Sequence, residues 1–246
     1  MSQLHQALAQ LKAGQWINLS HTVTPAIPHF PIFNPLEVRD LSSVQGDGYL
    51  CQEVTIGTQY GTHIDAPFHF VEGRKNLQEI DLKQKLLPLV VLHLEDKVAK
   101  NPDYQVSIQD ILDYEAQYGP LPQDAFVAFA SGWANRFHDP EQFYNRDDQG
   151  VDRTPGWSLE VLDFLQNERS VAAIGHETIN TDSGQAIAQT GKLEAEYYWL
   201  DKNKFQIEVI NNLDLVPAAG SLIKIGYPNI DGISGFTVDL VAIVPA

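Results

Sequence analysis

A ten-residue stretch, "GTHIDAPFHF" at 61–70, crowds two histidines, an aspartate and a proline beside a Gly-Thr pair. In an extended strand, residues two apart point to the same face, so Gln59, Gly61, His63 and Asp65 would share one side of the backbone. Gly61 has no side chain and would leave room for an ion there, because metal–ligand distances of roughly 2.0–2.2 Å demand close approach. A His-x-Asp pair with further oxygen ligands suits zinc, manganese or iron(II). The spacing therefore predicts a divalent metal site on this strand.

The proline in this stretch predicts a bend after the metal pair. Pro67 cannot continue strand pairing, and without a bend four extended residues would carry His69 about 13 Å from Asp65. Turned back, the imidazole of His69 can take a proton from a metal-activated water and pass it to the leaving group. We therefore predict His69 as the catalytic general acid/base.

The longer string resembles the signature of the metal-dependent cyclase family, which includes bacterial kynurenine formamidases and isatin hydrolases. The family pattern is His-x-Gly-Thr-His-x-Asp-x-Pro-x-His, and every position matches except the first, where Gln59 stands in place of histidine. The last histidine of the pattern is the family's proton carrier, and it corresponds to His69. Supporting likenesses extend over nearly the whole chain, in "WINLSH", "SGW", "PGWSLEVLDFL" and "IGHETINTDSG".

The resemblance implies a ligand set of Gln59, His63, Asp65 and Glu208, the last being the glutamate of "QIEVINNLDLVP". In formamidases of the family, two metals are bridged by the aspartate and the glutamate. Glu196 falls where the family's second-site histidine would lie, and it offers a carboxylate instead of an imidazole. Either one metal is retained, or a second site richer in oxygen exists. Zinc and manganese are the expected ions.

His176, in "GHET" after an apolar run, is a further candidate ligand that could replace the missing imidazole. It follows a predicted buried strand and precedes a loop, where functional groups collect. The alternative is a core histidine that donates a hydrogen bond. Glu177 and Asp182 are left open in a similar way, as metal ligands or as solvated loop carboxylates.

A site of this kind predicts a metal-dependent hydrolase that needs no serine or cysteine nucleophile. The resemblance implies a small-molecule substrate, an amide, ester or lactone of the aryl formamide or cyclic amide class, and hence an arylformamidase-like enzyme. It also implies a homodimer or homotetramer. The alternative is a catalytically idle protein of the same fold that binds a metal or a small ligand. The presence of His69 favours the enzyme, because a pure binding site would not need a free imidazole beside the ion.

Composition and charge limit the partners and the location. The 246 residues, 43% of them hydrophobic, fit a single domain spanning 1–246. The formal net charge of −16 repels phosphate backbones and anionic lipids, so we expect neither nucleic acid nor membrane as a partner. A lone cysteine excludes an internal disulfide and a thiolate cluster. We find no recognisable signal peptide or membrane-spanning run and expect a cytoplasmic location.

The elements expected to position these residues are interleaved helices and strands. The apolar runs "LLPLVVLHLE", "AFVAFAS" and "VAAIG" predict buried strands. Helices are predicted before Gly14, from Ser107 (a capping box with Asp110) to Gly119, and after Ser158. "YLCQEVTIGTQ" predicts a strand that leads straight into the motif, and "FQIEVINNL", "SLIKIGYP" and "FTVDLVAIVP" predict later strands. We therefore predict a mixed α/β domain, and the resemblance implies the swivelling β/β/α fold of the cyclase and kynurenine formamidase type.

Overall fold

The computed structural model describes residues 2–245 and contains a nine-stranded mixed sheet with helices packed against it. The strands are β1 (Gln15–Asn18), β2 (Glu37–Asp40), β3 (Gln52–Thr55), β4 (His63–Asp65), β5 (Leu86–His93), β6 (Gln105–Val106), β7 (Phe126–Ala130), β8 (Gly156–Trp157), β9 (Ala173–His176), β10 (Phe205–Glu208), β11 (Ser221–Gly226), β12 (Gly235–Thr237) and β13 (Asp239–Val244). The helices are α1 (Gln3–Ala13), α2 (Val44–Asp47), α3 (Glu95–Lys100), α4 (Ile108–Tyr118), α5 (Pro140–Tyr144), α6 (Leu159–Asn167), α7 (Gly184–Thr190) and α8 (Glu194–Asp201). Within the described residues, no helix has the length and apolarity needed to cross a bilayer. The predicted mixed α/β class is confirmed.

The centre of the large sheet is parallel and its margins are antiparallel. The spatial order is β1-β13-β11-β5-β7-β9-β10-β4-β12, with β5, β7, β9 and β10 parallel to one another. Each parallel connection passes through a helix, α4 before β7, α6 before β9 and α8 before β10, since parallel neighbours require a crossover. Antiparallel β4 lies beside the last parallel strand, β10, near one edge of the sheet.

The apolar runs of the sequence form the central strands because both faces of the sheet are covered. All of β7 is buried, and its side chains alternate between two apolar cores: Val127 and Phe129 belong to one, Phe126, Ala128 and Ala130 to the other. The first core contains side chains from α4, α6 and α8, whereas the second contains side chains from β1, β11 and β13. The sheet therefore separates two cores, which explains why its central strands read as continuous apolar runs.

The helix ends lie where the sequence predicts them. The Ser107 side chain accepts a hydrogen bond from the Asp110 backbone, and the Asp110 carboxylate accepts one from the Ser107 backbone. Ser158 caps α6 by accepting a hydrogen bond from the backbone N–H of Val161, and Gly14 follows the last residue of α1 as its C-cap. The two serine caps satisfy N–H groups that the first helical turn leaves without a backbone partner.

The prediction that one strand leads straight into the motif is wrong. β3 pairs with β2 in a separate hairpin, and residues 56–62 form an irregular connection before β4. Gly61 has a φ of 67° in this connection, a left-handed conformation that favours glycine. The two-residue alternation therefore begins at His63, and Gln59 and Gly61 do not continue its face. The predicted bend is present, because a 3-10 helix begins at Pro67 directly after β4.

The segment formed by β2, α2 and β3, residues 37–55, is a hairpin arm that contributes no buried residue to either core. Its exposed side chains include several large apolar ones: Val38, Leu41, Val44, Tyr49, Leu50 and Val54. A two-stranded hairpin is only marginally stable by itself in water. The arm is therefore a candidate contact surface.

Gly184, the first residue of α7, lets this helix pack closely against the backbone of Asp152, and its replacement tests this packing. A Cβ at this position would lie 1.7 Å from the backbone oxygen of Asp152. We predict that Gly184→Ala lowers the free energy of unfolding by at least about 2 kcal/mol, because backbone must shift to admit the methyl group. The melting temperature measured by calorimetry should fall by about 4–8 °C. Gly46→Ala is the matched control, since its Cβ would meet only Ser43 Oγ, at 3.0 Å. Equal melting temperatures for the two variants would contradict the expectation.

Candidate metal centre and catalytic pocket

Strand pairing brings residues that are far apart in the sequence to one face of the sheet. β4 lies between β10 and β12 and is antiparallel to both. His63 is directly opposite Glu208, and Asp65 is directly opposite Gln206. Opposite residues of an antiparallel pair project from the same face. Because residues two apart in a strand also share a face, the four side chains lie together.

The other neighbouring strand, β12, leaves space at this face because Gly235 lies opposite Asp65. A Cβ on Gly235 would be 2.6 Å from Gln59 Nε2 and 3.2 Å from Asp65 Oδ1. The sequence-based prediction gave this spatial role to Gly61, but a Cβ there would meet apolar side chains from residues 23–27. The glycine that opens the site is therefore Gly235.

Three ligand atoms converge at this face with the spacing of a metal site. His63 Nε2 lies 3.6 Å from Asp65 Oδ2 and 3.4 Å from Glu208 Oε2, and all three residues are at most 2% exposed. His63 Nδ1 lies 2.8 Å from the carbonyl oxygen of Gly61, which can only accept, so Nδ1 carries a ring hydrogen and Nε2 is the nitrogen that faces the carboxylates. Within residues 2–245, neither His63 Nε2 nor Asp65 Oδ1 has a hydrogen-bond partner. Buried polar atoms normally have one, so this donor set fits a divalent cation.

The negative charges in this cluster also favour a bound cation. Burial lowers the pKa of His63, but attraction to Asp65 and Glu208 outweighs burial and raises it to about 10. Burial raises the pKa of Asp65, but the positive charges of His63 and His69 lower it to about 2. Burial and repulsion from Glu208 and Asp65 raise the pKa of Glu196 well above its ordinary value. Buried carboxylates of this density need positive charge beside them, which a divalent ion would supply.

His69 turns back toward the metal pair after the bend at Pro67. Its Nε2 lies 3.9 Å from Asp65 Oδ1, and its side chain is 29% exposed. Asp65, His69 and Glu196 form a second group of potential ligands, whose atoms lie within 4.8 Å of one another. The structure thus brings His69 and Glu196 to the same place as the three residues of the first group.

Gln59 contacts His69 with its amide nitrogen. Its Oε1 accepts a hydrogen bond from the Thr58 hydroxyl, and its Nε2 lies 3.2 Å from Ser234 Oγ and 3.5 Å from His69 Nδ1. A carbonyl oxygen would be the metal ligand of a glutamine, and here that oxygen is engaged by Thr58. The arrangement therefore favours Gln59 as a neighbour of His69 over Gln59 as a ligand.

His176 lies behind Glu208 and is fully buried. Its Nδ1 is 3.3 Å from Trp157 Nε1, and its Nε2 is 3.3 Å from Glu208 Oε1. Both ring nitrogens have a partner. Of the two alternatives left open by the sequence, the geometry favours the core histidine that donates a hydrogen bond.

Glu177 and Asp182 are buried helix caps, so the expectation of solvated loop carboxylates is corrected. Glu177 accepts from the backbone N–H of Trp133 at the start of a 3-10 helix, and burial raises its pKa to about 7. Asp182 accepts from the backbone N–H groups of Ala195 and Glu196 in the first turn of α8. Among the described residues, neither belongs to a group of potential metal ligands. Asp182 instead holds the helix that carries Glu196.

Two residues of the site, Thr181 and Gln206, were not predicted from the sequence. Gln206 Nε2 donates to Glu208 Oε1 at 3.0 Å and to Asp65 Oδ2 at 3.3 Å. Thr181 Oγ1 donates to Gln206 Oε1 at 2.8 Å, which fixes the amide orientation. The available signal was the two-residue spacing of Gln206 and Glu208 in "FQIEV", the same alternation that pairs His63 with Asp65.

A pocket of about 400 Å³ opens beside these polar atoms. The polar groups are joined in its lining by apolar side chains: Phe30, Ile32, Phe33, Phe70 and Leu193. The volume lies in the range of small-molecule sites, and an apolar wall with a few convergent polar groups is their usual composition.

Comparisons with known proteins agree with this geometry. An isatin hydrolase from Roseibium aggregatum is 26% identical to this chain over 216 residues, 85% of this chain and 81% of that protein. A kynurenine formamidase from Geobacillus thermodenitrificans is 29% identical over 127 residues, 51% of this chain and 56% of that protein. These relatives confirm the predicted enzyme class, a hydrolase.

Solved structures share the fold over its full length. Isatin hydrolase A from Labrenzia aggregata, bound to benzyl benzoate, superposes with a TM-score of 0.90 at 25% identity and covers 100% of both chains. Isatin hydrolase A from Ralstonia solanacearum has a TM-score of 0.91 at 27% identity and covers 99% of this chain and 98% of that one. A potential metal-dependent hydrolase with cyclase activity shares the fold alone, with a TM-score of 0.67 at 15% identity and coverage of 93% of this chain and 96% of that one.

A family model described as "Putative cyclase" matches residues 17–183. The match spans more than half of the chain and includes the whole of "GTHIDAPFHF". The resemblance stated from the sequence is thereby confirmed, and the chain belongs to the cyclase family.

Proposed function

We propose that this protein is a metal-dependent hydrolase that cleaves the amide bond of a small aryl formamide or cyclic amide, with isatin and N-formyl aryl amines as the first substrates to test. The observation that carries the proposal is the convergence of His63, Asp65 and Glu208 beside the accessible imidazole of His69 in an apolar pocket. The named activities of the isatin hydrolase and kynurenine formamidase relatives support the substrate class.

A divalent cation held by His63, Asp65 and Glu208 would supply Lewis acidity, which polarises a carbonyl group and lowers the pKa of water. Each carboxylate has one oxygen occupied by Gln206 and a second oxygen free. The free oxygen of Glu208, Oε2, lies 3.4 Å from His63 Nε2, and the free oxygen of Asp65, Oδ1, lies 3.9 Å from His69 Nε2. Gln206 thus holds both carboxylates in fixed orientations beside the two imidazoles.

His69 is placed to move protons. Amide hydrolysis requires a proton to leave the attacking water and a proton to reach the leaving nitrogen. The His69 side chain lies next to Asp65 and is open to the pocket. Histidine is the side chain best suited to both transfers near neutral pH. Gln59, 3.5 Å from Nδ1, helps to orient the ring so that Nε2 faces the cluster.

The pocket favours a substrate with a flat apolar body and one polar end. Phe30, Phe33 and Phe70 contribute three aromatic rings to its lining. Aromatic rings bind other rings in offset or edge-to-face arrangements, with a gain beyond simple burial. The polar end of the substrate would then lie at His63 and Glu208. An aryl amide fits this division better than an aliphatic one.

We propose zinc or manganese as the ion. One imidazole nitrogen with carboxylate oxygens suits either metal. Glu196, grouped with Asp65 and His69, adds a further oxygen donor, which supports manganese and would serve a second ion if one binds.

We further propose a cytoplasmic homodimer or homotetramer that assembles through the hairpin arm. The six large apolar side chains named for the arm are each more than half exposed. A two-fold contact buries the same surface on both copies, so the apolar area buried in the dimer is twice that of one arm. The free, exposed Cys51 is compatible with a reducing compartment.

Replacement of His69 tests the catalytic half of the proposal. We predict that His69→Ala lowers kcat for isatin or an aryl formamide by about 10²–10⁴-fold, because proton transfer is lost while the ligands remain. Mass spectrometry should still find at least one metal ion per chain, because His63, Asp65 and Glu208 remain. His138→Ala, at an exposed histidine, is the matched control. Unchanged turnover in His69→Ala would remove the residue from the mechanism. No turnover of any substrate by the metal-loaded wild-type chain would favour the idle binding protein.

Replacement of His63 tests the metal-binding half. We predict that His63→Ala weakens metal binding by more than the roughly 10–100-fold typical of changes outside the ligand set. Titration of the metal-free protein against a chromophoric chelator measures this affinity. His93→Ala is the control, because His93 is exposed and bonded to Glu95. Equal affinities in the two variants would place the ion elsewhere.

A charge in the hairpin arm tests the proposed assembly. Burial of an uncompensated charge costs roughly 3–5 kcal/mol, so Val54→Glu should weaken self-association by at least about 100-fold. Sedimentation equilibrium measures the change. Leu215→Glu, at another exposed apolar residue outside the arm, is the control and should leave association unaltered. A wild-type chain that is monomeric at high concentration would refute the proposed assembly.

A further inference from the structure

Two buried residues behind the candidate metal centre, Trp157 and His176, act on Glu208 through hydrogen bonds. We propose that His176 is a positioning residue that fixes Glu208 for metal binding, and that Trp157 selects the His176 tautomer required for this. The inference rests on the proposed function, since it concerns the same metal site. Its hydrogen-bond arrangement exists in the chain itself and can be measured without metal.

The first step is the placement of the two residues. His176 ends β9, the parallel neighbour of β10, so it lies alongside the strand that carries Glu208. Trp157 ends β8, and its backbone N–H donates to the carbonyl of Thr181 at 2.8 Å. The Trp157 ring packs edge to face on Phe129 with 5.9 Å between ring centroids. Both side chains are at most 1% exposed. The indole is therefore held in one orientation by packing and by its backbone.

The second step is the tautomer of His176. An indole N–H can only donate, and Trp157 Nε1 lies 3.3 Å from His176 Nδ1. His176 Nδ1 must then accept, which places the ring hydrogen on Nε2. That Nε2–H is 3.3 Å from Glu208 Oε1 and donates to it. In this tautomer His176 has no lone pair left for a cation.

The third step is the effect on Glu208. Its Oε1 accepts hydrogen bonds from His176 and from Gln206. The remaining oxygen, Oε2, is the one 3.4 Å from His63 Nε2. The two donors thus hold the carboxylate plane so that one oxygen faces the other ligands. Residues that orient a ligand in this way typically contribute 10–100-fold to metal affinity.

If His176 only filled space in the core, it would need neither a hydrogen-bond donor nor a particular tautomer. Any apolar side chain of similar volume could fill the space, and the ring tautomer would be irrelevant to the metal. A positioning role requires a hydrogen on the atom facing Glu208. The two roles are therefore separated by the tautomer and by metal affinity, whereas thermal stability alone would not separate them.

Nitrogen NMR of the histidine rings in the full chain reads the tautomer directly. We expect the His176 hydrogen on Nε2 in the metal-free protein, and we expect it to stay there when zinc is added. A hydrogen on Nδ1, or loss of the Nε2 hydrogen on zinc binding, would overturn the proposal. The measurement uses the wild-type chain and does not depend on whether a variant folds.

Zinc affinity in three variants, measured by competition with a chromophoric chelator, tests the consequence. His176→Leu should weaken zinc binding by about 10–100-fold. His176→Gln, which keeps an N–H donor near Glu208, should recover at least half of that loss on a logarithmic scale. Trp157→Phe removes the group that selects the tautomer and should fall between the leucine variant and the wild type.

The outcomes separate this inference from the proposed function. Zinc binding by the wild-type chain together with wild-type affinity in a folded His176→Leu variant would overturn the inference and leave the proposed function standing. Failure of the wild-type chain to bind zinc or manganese would overturn the proposed function, and the metal-binding half of the inference with it.

Discussion

The antiparallel register of β4 against β10 is the constraint on which the site depends. His63 and Glu208 are separated by most of the chain, yet this register makes them direct neighbours. The register is set on the opposite face of the same strands, where Ile64 lies opposite Ile207 and both are fully buried in an apolar core. A slip by one residue would move the ligands into that core and the isoleucines out of it. The hydrophobic effect that folds the sheet therefore also assembles the proposed metal ligands.

The same register concentrates charge in a place where charge is costly. Asp65, Glu196 and Glu208 are buried together, and burial of carboxylates without compensation is unfavourable. The chain offsets part of this cost with neutral donors, Gln206, His176 and Thr181, which bind selected oxygens and leave others free. A cation that binds the folded state alone would stabilise it by mass action. Folding and metal binding are thus expected to be coupled in this protein.

Local features were the ones that the sequence could predict. The apolar runs of β5 and β7, the caps at Ser107 and Ser158 and the bend at Pro67 each depend on a few neighbouring residues, and each is present in the structure. His63, Asp65 and His69 belong to one short motif, so their proximity was predictable too. Glu208 required the family resemblance, because strand pairing across so many residues leaves no local signal.

Features that depend on distant pairing were missed or misplaced. The space beside Asp65 exists because Gly235 has no side chain, and Gly235 lies opposite Asp65 only because β12 pairs with β4. Gln206 and His176 acquire their roles from strands and loops that meet only in the folded chain. The orientation of the Gln59 amide depends on Thr58, Ser234 and His69 together, whereas the position of Gln59 in the motif suggested a ligand.

Anomalous X-ray diffraction from crystals of the protein grown with manganese or zinc is the most direct test of the central claim. The account predicts an anomalous peak roughly 2.0–2.2 Å from His63 Nε2 and from one carboxylate oxygen each of Asp65 and Glu208. A peak coordinated by other side chains, or none at this face of the sheet in crystals that contain the metal, would contradict it.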